Sequence, residues 1–106
     1  MRAGDIRKRI TIEQPAEAAD GLGEMVQTWT VFAVVWAGLH PLIGNERIQA
    51  AQINANANIE ITMRYMDGVN PKMRIRYGTR TIQILSARNV DERNREISIL
   101  GMEQER

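Results

Sequence analysis

From Ile59 to Leu100 the chain is a succession of short runs in which apolar and polar residues alternate: NIEITMRY, KMRIRYGTRTIQIL and REISIL, separated only by DGVNP, a Gly78-Thr79 pair and ARNVDE. A side-chain period of two is the mark of a strand with one buried and one wet face. Ile59, Ile61, Met63 and Tyr65 stand opposite Glu60, Thr62, Arg64 and Met66; Met73, Ile75 and Tyr77 stand opposite Lys72, Arg74 and Arg76. Ile82 and Ile84 then oppose Thr81, Gln83 and Leu85, and Ile97 and Ile99 oppose Glu96, Ser98 and Leu100. Gly68 tolerates positive φ and Pro71 sets up the return, so DGVNP is a turn. Strands this short with turns this tight restrict the fold to an antiparallel meander.

The first half adds strands and one helix. Ile6, Lys8, Ile10 and Ile12 share a face opposite Arg7, Arg9, Thr11 and Glu13. Pro15 to Gly23, with proline, Asp20-Gly21 and Gly23 at turn-making positions, reads as a mobile loop. In Glu24 to Leu39 the residues Met25, Gln27, Trp29 and Val31 hold one parity, while Val34, Val35 and Trp36 are consecutive apolar residues. That pattern predicts a long strand, or two, with a bulge or bend near Ala33, and its β-branched density disfavours a helix. Trp29 and Trp36 are expected in the core or at its rim. His40-Pro41 ends the element. A helix is predicted over about Glu46 to Ala55, capped by Asn45, with Ile48, Ala51, Gln52 and Ala55 on its buried side. The expectation is a single domain, residues 1–106: mainly β, a small six- or seven-stranded antiparallel barrel or sandwich with one short helix.

The side chains that usually carry chemistry are scarce. There are no cysteines and one histidine, His40, so neither a disulfide framework nor a thiolate or histidine metal cluster can be built. Neither Ser86 nor Ser98 stands in a nucleophile-elbow context, Asp91 and Glu92 have Arg93 and Arg95 beside them, and Gly21 to Gly23 lacks the strand-to-helix frame of a nucleotide fingerprint. No enzyme activity and no cofactor are expected. The first residues form no apolar signal segment, and the longest nearly apolar run, VFAVVWAGL, is too short to span a bilayer; no membrane association is expected.

What remains is binding. From Arg64 to Arg95 eight basic residues stand against Asp67, Asp91 and Glu92, although the whole chain has a net charge of only +1. Two uses of that bias compete. Arg64, Arg74 and Arg76, placed on the wet face of neighbouring strands, suit carboxylates on another subunit. Alternatively an arginine-rich strand face with Tyr65 and Tyr77 makes a small nucleic-acid-binding barrel, but both tyrosines share parity with the apolar face.

The ordered combination of several segments is more specific than any one of them. Gly4 precedes the basic Ile6 to Ile10 strand, Trp36-Ala37 precedes Pro41, and Gly44 to Glu46 follow. Then come Arg64-Tyr65 before Gly68, Met73-Arg74-Ile75, and Asp91 with Arg93. In this order, over nearly the whole chain, the sequence resembles the phage head-tail joining proteins, also called head-tail adaptor, stopper or head completion proteins. The resemblance implies a small β-rich subunit of a ring, twelve-fold or six-fold, below the portal of a tailed phage. Such a ring extends or closes the DNA channel and docks the tail.

The implied partners are other copies of the chain, a portal or adaptor protein above, a tail-terminator or tail protein below, and double-stranded DNA passing without sequence recognition. The implied location is the virion neck, with host cytoplasm during assembly and a prophage as one source of expression. On this reading Arg64, Arg74, Arg76, Trp36 and Glu46 form the subunit or partner interface. Asp20 and Gly21, or Asp67 and Gly68, lie on loops that line the lumen or dock a neighbour.

Overall fold

In the computed structural model, which describes residues 7–103, six antiparallel strands close into a barrel in the order β1-β2-β3-β6-β5-β4. They are β1 (Lys8–Ala19), β2 (Met25–Pro41), β3 (Ile59–Arg64), β4 (Arg74–Tyr77), β5 (Arg80–Asn89) and β6 (Glu96–Glu103), with helix α1 (Asn45–Ala51) between β2 and β3. The expected mainly-β barrel with one short helix is thus what the chain forms. Ile6 and Gly4 lie outside the described residues, as does the side chain of Asp91.

The interior is filled by the alternating apolar positions. Ile10, Ile12, Ile61, Ile75, Ile82 and Ile99 are fully buried, with Ile59, Met63, Ile84 and Ile97 beside them. β6 contributes a third inward position, Gly101, where the barrel has no room for a side chain: a Cβ there would lie 2.6 Å from Ile82 Cγ2 and 3.3 Å from Ile61 Cδ1. Asn58 extends the β3 side of the ladder past its end, donating from Nδ2 to the Glu103 carbonyl (2.8 Å) and accepting from the Glu103 amide (2.9 Å).

β1 and β2 are far longer than the barrel needs. β4 pairs with β1 only over Thr11 to Glu13, and β3 pairs with β2 only over Ala37 to Pro41. Beyond those contacts the two strands run on together, Pro15 opposite Trp29 and Ala19 opposite Met25, as a hairpin arm. The arm accounts for the elongated shape, 49 × 26 × 25 Å. From Glu13 to Asp20 it projects about 20–25 Å at the usual strand rise.

Two expectations are corrected and a third is narrowed. Pro15 to Gly23 is not a loop: Pro15 to Ala19 belong to β1, and the turn is confined to Asp20 to Glu24. Its geometry comes from Asp20, whose Oδ1 accepts from the amides of Leu22 (2.8 Å) and Glu24 (2.9 Å). Proline is tolerated because that edge of β1 has no strand beside it among the described residues.

The helix is shorter than expected and turned the other way. It runs from Asn45 to Ala51, Gly44 rather than Asn45 occupies the cap with φ +57°, and no side chain caps it. Ala50 is its buried residue, packed with Leu42, Ala57, Leu100 and Leu85, while Ile48, Ala51, Gln52 and Ala55 are exposed. Fewer than two turns carry too little apolar surface to choose a face. The flanking Leu42 and Ala57 fix it instead.

Of the two places expected for the tryptophans, core or rim, they take the rim: Trp29 is half-buried under Arg74 and Trp36 is exposed where β2 leaves the barrel. The register shifts between Ile12 and Glu13, where Phe32 is the extra residue on β2, a bulge close to the expected parity change at Ala33. The bulge leaves Val35 and Ala37 facing inward and turns Trp36 out, opposite Arg9.

Candidate interaction site

The candidate residues fall into separate places. Arg74, at the start of β4, lies across from Glu13 and donates from Nε to its Oε1 at 2.7 Å. Its guanidinium also lies over the Trp29 ring, 4.1 Å from the centroid. A planar, weakly hydrated cation suits this double role of carboxylate partner and ring cover. Arg74 thereby clamps the base of the arm to the barrel. Arg76, opposite Thr11, is half-buried on the same strand. Arg64 ends β3 and is exposed. In the barrel order two strands separate β3 from β4 on either side. The three arginines expected on neighbouring strands therefore do not form one face, and the arginine-plus-tyrosine platform is not assembled.

Tyr77 packs on the core, with the Lys8 ammonium 5.5 Å and the Arg80 guanidinium carbon 5.9 Å from its ring. Arg80 makes a two-pronged ion pair with Glu103, including Nη2 to Oε1 at 2.8 Å. That hydrogen bonding holds the Glu103 carboxyl below its ordinary range and raises the Arg80 pKa.

Arg64 has different company. It lies opposite Glu96 on β6, and its neighbour Tyr65 donates its amide to the Arg95 carbonyl (3.0 Å), so Arg64 and Arg95, both exposed, lie with Glu96 near the point where β2 leaves the barrel. Trp36 stands there too, 56% exposed. Glu46, in the first turn of α1, lines an open cleft of about 360 Å³ with Leu42, Ala50, Ile53, Arg88 and Leu100. Asp20 and Gly21 form the tip of the arm next to Leu22, which is 90% exposed. Asp67 and Gly68 lie instead at the arm's base, where a Cβ on Gly68 would be 3.1 Å from Phe32 Cζ and its φ of +94° favours glycine.

Residue-by-residue reading missed the surface that the fold makes most conspicuous. Along β2 the residues Met25, Val26, Val31, Val34 and Trp36 are all exposed. The signal was present: Met25 to Leu39 contains neither a charge nor a proline. Apolar residues in a strand ordinarily mark a core, whereas here most of them clothe an arm with no second layer among the described residues.

Among the described residues no three His, Cys, Asp or Glu side chains could together hold a metal ion, and no helix is long and apolar enough to cross a membrane. A closed barrel with a projecting, apolar-sided arm defines a protein whose surface is made for assembly. The comparisons give that class a family: residues 1–104 match the phage head completion protein model, and the chain belongs to that family. It is a structural, non-catalytic connector of the phage neck, located at the head-tail interface of the virion.

Among solved structures it is similar to protein SF1141 from Shigella flexneri 2a in its solution structure, with 26% identity, TM-score 0.77, and coverage of 97% of this chain and 96% of that one. It is also similar in fold to a chain in the virion of the native gene transfer agent particle, with 19% identity, TM-score 0.60, and coverage of 92% and 94%. No curated protein matches.

Proposed function

We propose that this connector works as a ring subunit below the portal, extending or closing the DNA channel and presenting the surface on which the tail docks. The observation that carries the reading is the division of the chain into a closed barrel and an arm. The barrel buries its own apolar residues and needs no neighbour, whereas the arm carries exposed Val31 at its base and exposed Leu22, Met25 and Val26 at its far end, well away from the barrel. Elements of that kind reach across to another molecule. Occurrence of the same fold in the gene transfer agent virion supports a place in a particle.

The partners on this reading are further copies of the chain, the portal or an adaptor on one side, and a tail protein on the other. DNA passes without recognition. Near-neutral charge and the engagement of Arg74 by Glu13 support that last point, since a lumen of strong phosphate clamps would hold the duplex back. Electron cryomicroscopy of the neck of particles containing this chain tests the proposal. Barrel density repeated around the channel between portal and tail is the expected result; barrels found only elsewhere in the particle would refute it.

A further inference from the structure

The chain holds two Asp-Gly pairs, Asp20-Gly21 at the tip of the arm and Asp67-Gly68 at its base. In such a pair the glycine has no side chain to shield its own amide nitrogen from the aspartate carboxyl before it. The fold treats the two pairs in opposite ways.

Asp20 is held at every polar group. Its amide donates to the Glu24 carbonyl (2.7 Å), its carbonyl accepts from the Gly23 amide (3.2 Å), and its Oδ1 accepts from the amides of Leu22 (2.8 Å) and Glu24 (2.9 Å). Turning this carboxyl towards the Gly21 nitrogen means breaking those bonds. Asp67 is exposed, and among the described residues neither its amide and carbonyl nor its carboxylate has a hydrogen-bond partner. The Gly68 amide has none there either. Met66 and Val69, on either side of the pair, pack against the core, and the Asn70 side chain donates to the Gly68 carbonyl (3.2 Å). The pair is thus kept in place while the aspartate itself is free to turn.

We infer that Asp67-Gly68 is a site of spontaneous covalent rearrangement, at which aspartate becomes isoaspartate in the folded protein. The only co-reactant is water. The Gly68 nitrogen attacks Cγ of the protonated Asp67 carboxyl. A C–N bond closes a succinimide ring, and the carboxyl hydroxyl leaves as water with the proton lost from the Gly68 amide. Water then adds to either ring carbonyl. Opening at Cγ restores aspartate; opening at the backbone carbonyl breaks its bond to the Gly68 nitrogen, so that the chain runs through Cβ and Cγ and a free α-carboxylate remains. Nothing is oxidised or reduced, and the mass is unchanged.

The place of the product gives it an effect. The main chain gains a methylene beside Gly68, which lies so close to Phe32 that a Cβ on it would be 3.1 Å from Cζ. Phe32 is the bulged residue at which the arm leaves the barrel. Rearrangement therefore loosens the base of the arm.

The test ages the folded full-length protein in mildly acidic buffer, with circular dichroism to confirm the fold, and digests it with trypsin. Residues 65–72 carry Asp67 and residues 10–47 carry Asp20. Isoaspartate shows as an isobaric, separately eluting peptide assigned by electron-transfer fragmentation. It is expected to form at Asp67 about tenfold or more faster than at Asp20, whose carboxyl must first give up two hydrogen bonds. In guanidinium the two sites should react at similar rates. Asp67→Glu should abolish the product in residues 65–72, because the larger imide ring closes far more slowly. Amide exchange around Phe32 should rise in the isomerised fraction.

Equal rates at the two sites in the folded protein, reaction of Asp67 only in guanidinium, or a product that survives Asp67→Glu would overturn the site. Exchange around Phe32 that is the same before and after rearrangement would overturn its effect on the arm.

Discussion

Replacing Gly101 by alanine adds one methyl group, and the barrel has no place for it. Gly101 is buried on the inward face of β6, between its pairing partners Ile59 and Ile84. The new Cβ would meet Ile82 Cγ2 at 2.6 Å, the Gln83 carbonyl oxygen at 3.1 Å and Ile61 Cδ1 at 3.3 Å. The first atom is the branch methyl of a fully buried side chain, and the second is backbone in the adjacent strand. Neither yields without moving a strand or forcing a rotamer.

Overpacking of this kind costs about 1–3 kcal/mol, against about 0.4–1 kcal/mol recovered from a less flexible unfolded chain. The net expectation is a loss of about 1–2 kcal/mol, or about 5–15 °C in unfolding midpoint for a domain of this size. Urea titration followed by far-ultraviolet circular dichroism measures it. The double cycle with Ile82→Ala identifies the cause, because removing the obstructing methyl should cost less in the Gly101→Ala background than in the wild type. A Gly101→Ala variant as stable as the parent, or strictly additive costs, would refute the reasoning.

Arg74→Ala should cost about 1–2 kcal/mol and shift Trp29 emission to the red, since the guanidinium both pairs with Glu13 and covers the indole ring; an unmoved spectrum in a variant retaining Trp29 as its sole tryptophan would mean that the cover is absent. Glu103→Gln should lose at most about 1 kcal/mol at neutral pH, because the pair with Arg80 is partly solvated. The folded pKa of Glu103 is lowered, so its stabilisation is full above its ordinary value of 4.5 and disappears as pH falls through the lower folded value; wild-type and Glu103→Gln stability curves should converge there, and parallel curves would contradict the pairing. Asn58→Ala should cost about 1–2 kcal/mol by leaving both backbone groups of Glu103 without their partner; hydrogen exchange at the Glu103 amide, faster in the variant, reports it directly.

The barrel was legible because a period of two is a local property. Each of β3 to β6 announces its inward set through isoleucine and methionine at alternate positions, and closure follows from having no other layer to cover them. The arm was not legible for a related reason. Pro15, Ala16, Ala18 and Ala19 are poor strand formers, and they are extended because Trp29 to Met25 lie opposite and Asp20 ties the turn. Partnership, not propensity, makes that strand.

The arginines show a second limit. Arg74 and Arg76 could be placed on one strand from spacing alone, but their distance from Arg64 depends on β6 lying between β3 and β5. Strand order in a closed sheet is set by long-range pairing that no short window contains. The helix failed on size: over seven residues the packing of Leu42 and Ala57 outweighs any pattern of its own.

Barrel and arm also answer different demands on one short chain. The described barrel core holds no buried charged or polar side chain, so it has no internal charge to titrate and little reason to change shape. A connector at a vertex through which DNA passes needs that constancy. The arm has no core, and its order beyond the Arg74–Glu13 clamp rests on one ladder of backbone hydrogen bonds, the Asp20 turn and a hydrogen bond donated by the Thr28 hydroxyl to the Ala16 carbonyl. An isolated two-stranded ribbon is marginal in water. The arm therefore gains more from a neighbour than the barrel does: adding a strand to either edge makes a sheet of three or more and covers Met25, Val26 and Val31. Association and ordering of the arm would then be one event, with the barrel as the fixed part against which it occurs.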